Sequence, residues 1–293
     1  MKHIDTECRL QLGEFSCSLR FPGTQPEYCR SVRDYFEHFL TDQPTDLTID
    51  VAIELHTEEI TVPNTLCLSK KVQGDLFNYS DGLIAGQLDM QHRSCYMKVK
   101  RVLFGNPTVR IFEQFFHQLY HTLLHERYQE DMPVKLLLHS SGVLRNGCGY
   151  VFTGRSGSGK STVAALSGDY DILNDEMCLI AREESGFTVQ ATPFNGFFRA
   201  KKNLKGPLKA IFFLKQAQQN FLKESRIAEC VIPLAREIVT PMGILDVDKK
   251  FPLSKMIELA EKVLSGVAFY ELHFLPDKSF WQCIHAPEAG NEP

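Results

Sequence analysis

A glycine-rich stretch in the middle of the chain carries the strongest chemical signal. Residues 154–161 read GRSGSGKS, which fits the pattern G-x-x-x-x-G-K-[ST]. In this pattern, glycines let backbone N–H groups turn towards a triphosphate, and the positive end of the next helix lies behind them. Lys160 would place a compact cation on the outer phosphates, and the hydroxyl of Ser161 would coordinate Mg²⁺. The sequence therefore predicts ATP and Mg²⁺ as ligands.

The candidate phosphate-binding residues are nearly continuous along this stretch. They are Gly154, Ser156, Gly157, Ser158, Gly159, Lys160, Ser161 and Thr162. The strand-like VFT precedes them, and STVAAL follows as a helix that starts at about Lys160, which is the context the pattern requires. An ordinary glycine turn is the alternative interpretation, in which the serines are small residues tolerated at the turn.

Two adjacent acids follow soon after the loop, in ILNDE. Asp175 is expected to hold Mg²⁺, directly or through water, because a phosphate-binding loop needs a carboxylate for its metal. Glu176 could deprotonate an incoming hydroxyl or water, although Asp175 could also serve as this base. A solvated acidic end of a strand is the alternative. One short helix separates Lys160 from Asp175, which is a closer spacing than most nucleotide-binding loops show.

Residues 138–176, LHSSGVLRNGCGYVFTGRSGSGKSTVAALSGDYDILNDE, resemble the catalytic domain of HPr kinase/phosphorylase. That family shares its nucleotide-binding fold with ATP-dependent phosphoenolpyruvate carboxykinase. Its order of a histidine at a strand, a glycine turn, the loop, a short helix and an acid pair is matched here by His139, Asn146-Gly147, the loop and Asp175-Glu176. Looser similarity in TPFNG, PLKAIFFL and YELHFLPDKSFWQCI extends the resemblance to about residues 131–285.

The resemblance implies an ATP-dependent kinase that transfers the γ-phosphoryl group to a serine or other hydroxyl of a protein, peptide or small molecule. It places His139 near the transferred phosphate and makes Asp175 a metal-binding acid. Glu176 stands where HPr kinase has a second aspartate, and Thr162 stands where it has a glutamate, so the acceptor is left open. The carboxykinase reaction is not expected, because the chain is short and lacks that enzyme's further substrate signatures. HPr kinases are oligomers, so a homo-oligomer is also an expectation.

Two functions of other classes remain open at this stage. An ATPase switch would use Glu176 to orient water, as acids do in ATP-hydrolysing proteins. A non-catalytic accessory protein would bind the nucleotide without turnover and use the N-terminal residues to bind a partner.

The elements that must position these residues can be read from hydrophobic patterning. In the second half, residues 134–144 and 147–154 predict two strands joined by a turn at 145–147. A buried strand over 170–181, a strand over 208–214, a helix over 252–267, a strand over 269–275 and a last helical turn at 279–284 follow. The fold class expected is therefore α/β, a P-loop nucleotide-binding domain with a mixed sheet over residues 131–293.

The first half predicts a small α+β domain of unknown role over residues 1–130. Its expected elements are a strand over 5–20, a helix over 28–40, a strand from Leu47, two or three short strands within 65–102 and a helix opening at Asn106-Pro107. The length of 293 residues agrees with two domains at about 150 residues each.

Composition narrows the partners and the compartment. The net charge is −4 and Lys and Arg are not clustered, which argues against nucleic acid and anionic membranes as partners. The N-terminus lacks the apolar core of a signal peptide, and the apolar runs are too short to span a membrane. The 9 cysteines are scattered without a CxxC pair, which is typical of free thiols in a reducing cytoplasm.

A few further residues have a chemical interpretation and a structural one. His117, His121 and His125 share one helical face and could bind a metal, but a polar helix face is the favoured interpretation. Arg199 could neutralise charge on the phosphoryl group, although a solvated basic turn is favoured. Phe280 and Trp281 are expected to pack in the core.

Overall fold

A computed structural model describes residues 6–22, 26–56, 70–73, 76–80, 84–89, 91–100, 120, 134–194, 202–239 and 253–284. These residues divide into two compact units. The first lies within residues 1–133, and the second consists of 134–239 and 253–284. The first unit gives way to the second between residues 133 and 134, and the division into domains 1–130 and 131–293 stays a prediction.

The first unit is built on a seven-stranded mixed sheet with the order β1-β2-β3-β7-β6-β5-β4. Its strands are β1 (Glu7–Leu12), β2 (Phe15–Arg20), β3 (Leu47–His56), β4 (Lys70–Gln73), β5 (Leu76–Ser80), β6 (Ile84–Asp89) and β7 (Ser94–Lys100). Strand β3 runs parallel to both of its neighbours, whereas the other pairs are antiparallel. Helix α1 (Pro26–Tyr35) and a 3₁₀ turn (Glu37–Phe39) connect β2 to β3.

Two predictions for this unit are wrong in detail. The single strand expected over residues 5–20 is a hairpin, because Gly13 adopts a φ of 61° and turns the chain between Leu12 and Phe15. Four strands, rather than two or three, occupy the described part of 65–102. The helix expected from Asn106 lies outside the described residues except for Tyr120, which is helical and buried.

The second unit is a mixed α/β structure with a nine-stranded mixed sheet and few helices. Its strands are β8 (Lys135–Arg145), β9 (Cys148–Thr153), β10 (Asp171–Asn174), β11 (Met177–Glu183), β12 (Gly186–Gln190), β13 (Lys205–Gln216), β14 (Phe221–Glu224), β15 (Ile238–Val239) and β16 (Ala268–Phe274). Its helices are α2 (Lys160–Leu166), α3 (Ile227–Glu237), α4 (Leu253–Leu264) and α5 (Phe280–Cys283). The strands predicted at β8, β9, β13 and β16 and the helices predicted at α2, α4 and α5 are confirmed, with small differences in their ends.

Two long strands give the second unit its topology. The first half of β8 pairs with β11 and its second half pairs with β9. The first residues of β13 pair with β12, and its later residues run parallel to β9. Because β11 also pairs with β12, the pairings form a closed circuit, β8-β9-β13-β12-β11 and back to β8. Strand β16 continues the sheet outward, parallel to β13.

The turn between β8 and β9 confirms a local prediction. Arg145 and Cys148 are paired across it, which leaves Asn146 and Gly147 as the two turn residues. Both have positive φ, 52° and 75°. An Asn-Gly pair is the favoured sequence for such a turn, because asparagine tolerates the left-handed region and glycine enters it without steric cost. The hairpin sets the register that carries His139 to the start of the glycine-rich loop.

The continuous strand expected over 170–181 is wrong. It is divided into β10 and β11, and Asp175 and Glu176 form the bend between them. The register of β10 against β8 shifts after Ile172, and β11 resumes pairing with β8 at Met177. The acid pair therefore lies on a bend beside the middle of β8.

An aromatic core lies beneath the glycine-rich loop. It joins the sheet to helices α2 and α5, and its members include Tyr150, Phe152, Val163, Phe212, Phe274, Phe280 and Trp281. Trp281 packs edge-on against Phe152 and donates a hydrogen bond from Nε1 to Ser167 Oγ at 3.0 Å. The core positions predicted for Phe280 and Trp281 are confirmed, since both are buried. Within the part of the chain that the structure describes, no helix is long and apolar enough to cross a membrane.

Candidate functional site

The glycine-rich loop lies between the end of β9 and the start of α2. Three parallel strands, β9, β13 and β16, end at this edge of the sheet. The side-chain amide of Gln216, the last residue of β13, donates from Nε2 to the carbonyl oxygen of Gly157 at 2.8 Å. The loop is therefore connected to the neighbouring strand by a direct hydrogen bond.

The loop backbone depends on glycine for two different reasons. Gly157 has a φ of 78° in open surroundings, so its conformation alone favours glycine. Gly159 has a φ of 108°, and a Cβ there would lie 2.5 Å from Cζ of the Phe274 ring. Phe274 is almost fully buried in the aromatic core. The second position therefore needs glycine for space as well as for backbone conformation.

Lys160 begins helix α2 and is 7% exposed. Its ammonium group donates a hydrogen bond to the carbonyl oxygen of Gly154 at 2.6 Å, inside the turn of the loop. Burial lowers the pKa of Lys160, and the negative charges of Glu237 and Glu176 oppose this change. The Lys160 ammonium group thus lies inside the loop, and the charges of Glu176 and Glu237 act on its pKa.

The bend that carries the acid pair is fixed by a fully buried asparagine. The Oδ1 atom of Asn174 accepts hydrogen bonds from the N–H groups of Glu176 and Met177, at 2.7 and 3.0 Å. Its Nδ2 group donates to the carbonyl oxygens of Thr192 and Phe194, at 3.0 and 2.8 Å. The segment TPFNG, which begins at Thr192, therefore has a structural role. Its residues Thr192 and Phe194 stabilise, through Asn174, the bend that contains Asp175 and Glu176.

His139 lies in the middle of β8 with a carboxylate on each side of its ring. Nε2 is 3.5 Å from Oε1 of Glu176, and Nδ1 is 3.1 Å from Oε2 of Glu237. The carbonyl oxygen of His139 accepts a hydrogen bond from Thr153 Oγ1 at 3.2 Å, immediately before the loop. His139 is thereby linked to the acid bend by its side chain and to the loop by its backbone.

Sequence reasoning missed Glu237, Asn174 and Gln216. Glu237 ends helix α3, which the sequence analysis did not identify because Pro233 interrupts the pattern. Glu229 at the third helical position, whose carboxylate accepts a hydrogen bond from the backbone N–H of Arg226, together with buried Cys230 and Leu234 one turn apart, was the signal that could have revealed this helix.

The remaining predicted site residues are placed as follows. Ser156 and Thr162 are exposed, and Ser161 is half-buried at the first turn of α2. Ser158 Oγ is buried beside Gly154, and no described residue accepts or donates a hydrogen bond to it. Asp175 is 1% exposed, whereas the side chain of Glu176 is 41% exposed. Arg199, His117, His121 and His125 lie outside the described residues.

The side chains of the described residues bear on whether the site could hold a metal ion. Among them, no group of three or more His, Cys, Asp or Glu residues is arranged to hold a metal ion. A Mg²⁺ ion shared between a protein and phosphates needs only one or two carboxylates from the protein. The hydroxyl of Ser161 and the carboxylate of Asp175 are oxygen donors of the kind that Mg²⁺ prefers, so the predicted ligand set fits this ion chemically.

Comparisons with known proteins do not show a family for this chain. No protein-family model matches the chain, and no curated protein matches it significantly. The resemblance to HPr kinase therefore stays an expectation.

Proposed function

We propose that the chain is an ATP-dependent phosphotransferase of the HPr-kinase-like type, with a P-loop nucleotide-binding fold in residues 131–293. Its acceptor is a serine or other hydroxyl of a protein, peptide or small molecule. The observation that carries this proposal is the position of Lys160, which lies inside the glycine-rich loop while Glu176 and Glu237 act on its charge. The Lys160 cation of the loop, the proposed base Glu176 and His139 support the proposal because Glu176 acts on the charge of Lys160 and also contacts His139.

The charges of the site favour a metal-bound nucleotide. Asp175, Glu176 and Glu237 are acidic, and the loop carries two cations, the buried Lys160 and the exposed Arg155. A bare triphosphate would be repelled by the carboxylates, so Mg²⁺ held by Ser161 and Asp175 would offset both sets of negative charge. Mg²⁺ supplies charge neutralisation of the transferred phosphoryl group.

The protein residues have separate roles in the proposed transfer. The loop amides and Lys160 hold the β- and γ-phosphates, and Lys160 withdraws charge from the group in transfer. Glu176, or Asp175 in its place, takes the proton of the acceptor hydroxyl. The acceptor oxygen forms a bond to the γ-phosphorus as the bond to the β,γ-bridging oxygen breaks, and ADP leaves.

The test is incubation with γ-labelled ATP, Mg²⁺ and candidate hydroxyl acceptors, with Lys160→Ala as the inactive variant. Lys209→Ala is the matched control, because Lys209 is an exposed lysine on β13. Label should enter an acceptor with the wild type and the control and not with Lys160→Ala. Release of labelled phosphate without a labelled acceptor would instead show an ATPase, and binding without turnover would show an accessory nucleotide-binding protein.

A further inference from the structure

We infer that Glu237 is a positioning residue for His139: it keeps a proton on Nδ1 and turns Nε2 towards Glu176. The positioning itself follows from contacts within the second unit. Its consequence for catalysis rests on the proposed phosphotransfer.

The backbone brings the two residues together. Ile238, the first residue of β15, pairs with Leu138 of β8 in an antiparallel register. In such a register the preceding residue, Glu237, is opposite the following residue, His139, and opposed side chains project from the same face. On the other side of β8, Met177 is paired with His139 and is preceded by Glu176. Strand pairing therefore sets Glu237 beside the imidazole, and the bend before β11 brings the Glu176 carboxylate to the other ring nitrogen.

The location of Glu237 is costly unless the carboxylate has a partner. Its side chain is 12% exposed, so the charge has lost most of its contact with water. It is also the last residue of α3, where the helix dipole favours cations over anions. The imidazole N–H at 3.1 Å offsets these costs. A glutamine would fill the same space without a buried charge, so the presence of a carboxylate indicates that its charge has a role at this position.

The chemistry of the contact determines which nitrogen carries the proton. An ionised carboxylate only accepts hydrogen bonds, so Nδ1 must donate. Nε2 then faces the acid bend, where it is available to the reacting groups. A third group that fixes the tautomer and orientation of a histidine is a recurring device in catalytic sites. The catalytic role inferred for Glu237 is therefore exerted through the tautomer of His139.

The first experiment measures the proton on His139 directly, without any assay of activity. Long-range ¹H–¹⁵N spectra of the full-length protein report imidazole tautomers, and His139→Asn assigns the signals. The control variant is Glu261→Gln, because Glu261 is an exposed glutamate on α4. Both the wild type and this control should show His139 with a proton on Nδ1. In Glu237→Gln, the side-chain amide can donate to Nδ1, so the population should move towards the Nε2-protonated tautomer. An unprotonated Nδ1 in the wild type, or identical His139 signals in Glu237→Gln, would overturn the inference.

The second experiment measures the catalytic consequence. Glu237→Gln should lower kcat by about 10²- to 10⁴-fold, because an imidazole that already carries its proton on Nε2 cannot accept one there from the reacting groups. The KM for ATP should change much less than kcat, and Glu237→Asp, which keeps the charge, should recover part of the loss. Equal loss in Glu237→Asp and Glu237→Gln, with unchanged tautomers and a lower melting temperature, would indicate a structural role and overturn the inference.

The two experiments separate this inference from the proposed function. Absence of a labelled acceptor with every candidate would refute phosphotransfer and leave the tautomer result to decide the role of Glu237. Conversely, efficient transfer by a Glu237→Gln protein with wild-type tautomers would support the kinase and refute the positioning role.

Discussion

The Oδ1 atom of Asn174 accepts a hydrogen bond from the backbone N–H of Glu176 at 2.7 Å. A fully buried amide thus holds the residue proposed as the base, from two positions away in the chain. The same amide bonds to Thr192 and Phe194, so the acid bend and the start of TPFNG form one hydrogen-bonded unit.

Replacing Asn174 with alanine should destabilise the second unit by about 3 kcal/mol, because several buried backbone groups would lose their partner. It should also reduce phosphotransfer, because Glu176 would no longer be held beside His139. Urea unfolding and the labelled-ATP assay measure the two effects. Asn203→Ala is the control: Asn203 is half-buried, and its contact with Gln190 spans 3.5 Å, so a change within about 0.5 kcal/mol is expected. Equal losses in both variants would contradict the role given to Asn174.

Gly159→Ala should destabilise the protein more than Gly157→Ala. Both substitutions force a left-handed backbone on alanine, at a cost of about 1–2 kcal/mol. At residue 159 the new methyl group also meets the Phe274 ring, which should add about 1–3 kcal/mol. Thermal unfolding measures the difference. In the double variant Gly159→Ala/Phe274→Leu, the loss should be smaller than the sum of the two single losses, and strict additivity would argue against the contact.

Removing the charge of Lys160 should change how stability depends on pH. The pKa of Lys160 is lowered in the folded protein, chiefly by burial, so the unfolded chain binds one more proton between that pKa and about 10.5. Stability rises with pH wherever the unfolded state binds more protons. The wild type should therefore gain stability relative to Lys160→Met across this alkaline window, by about 1.4 kcal/mol for each unit by which the pKa is lowered.

Urea unfolding of both proteins from neutral pH to pH 10.5 tests this, with Lys209→Met as the exposed control. The difference between the wild type and the control should stay constant with pH. A wild type that loses stability relative to Lys160→Met as the pH rises would show that the pKa is raised instead.

Gln216→Ala should weaken nucleotide binding without unfolding the protein. Gln216 is exposed, and its side-chain amide donates a hydrogen bond to the carbonyl oxygen of Gly157. Without this hydrogen bond the loop should be less ordered, which should weaken the binding free energy by about 1 kcal/mol and raise the Kd about fivefold. Calorimetric titration with a Mg²⁺-bound, non-hydrolysable ATP analogue measures this. Gln218→Ala, at a nearby exposed position, should bind the nucleotide like the wild type. An equal effect of both substitutions would show that the hydrogen bond from Gln216 to Gly157 does not contribute to nucleotide binding.

Local signals account for what could be predicted from the sequence. Asn146-Gly147 predicts a tight turn, and Lys160 marks the start of α2, because both depend on residues next to each other in the chain. The division of 170–181 was missed because it depends on Thr192 and Phe194, which bond to Asn174 across the fold. Glu237 was missed for a similar reason: its partner is His139, 98 residues away, and the pairing of β15 with β8 that joins them has only two residue pairs.

The closed circuit of strands has a dynamic consequence. The strands that carry His139, the acid bend and the start of the loop all belong to that ring, so none of them can separate without breaking pairs on two sides. Cooperative opening of such a unit is expected to approach the free energy of global unfolding. Backbone amides of β8, β9 and β11 should therefore exchange with deuterium at similar, slow rates, whereas those of the peripheral strand β14 should exchange early.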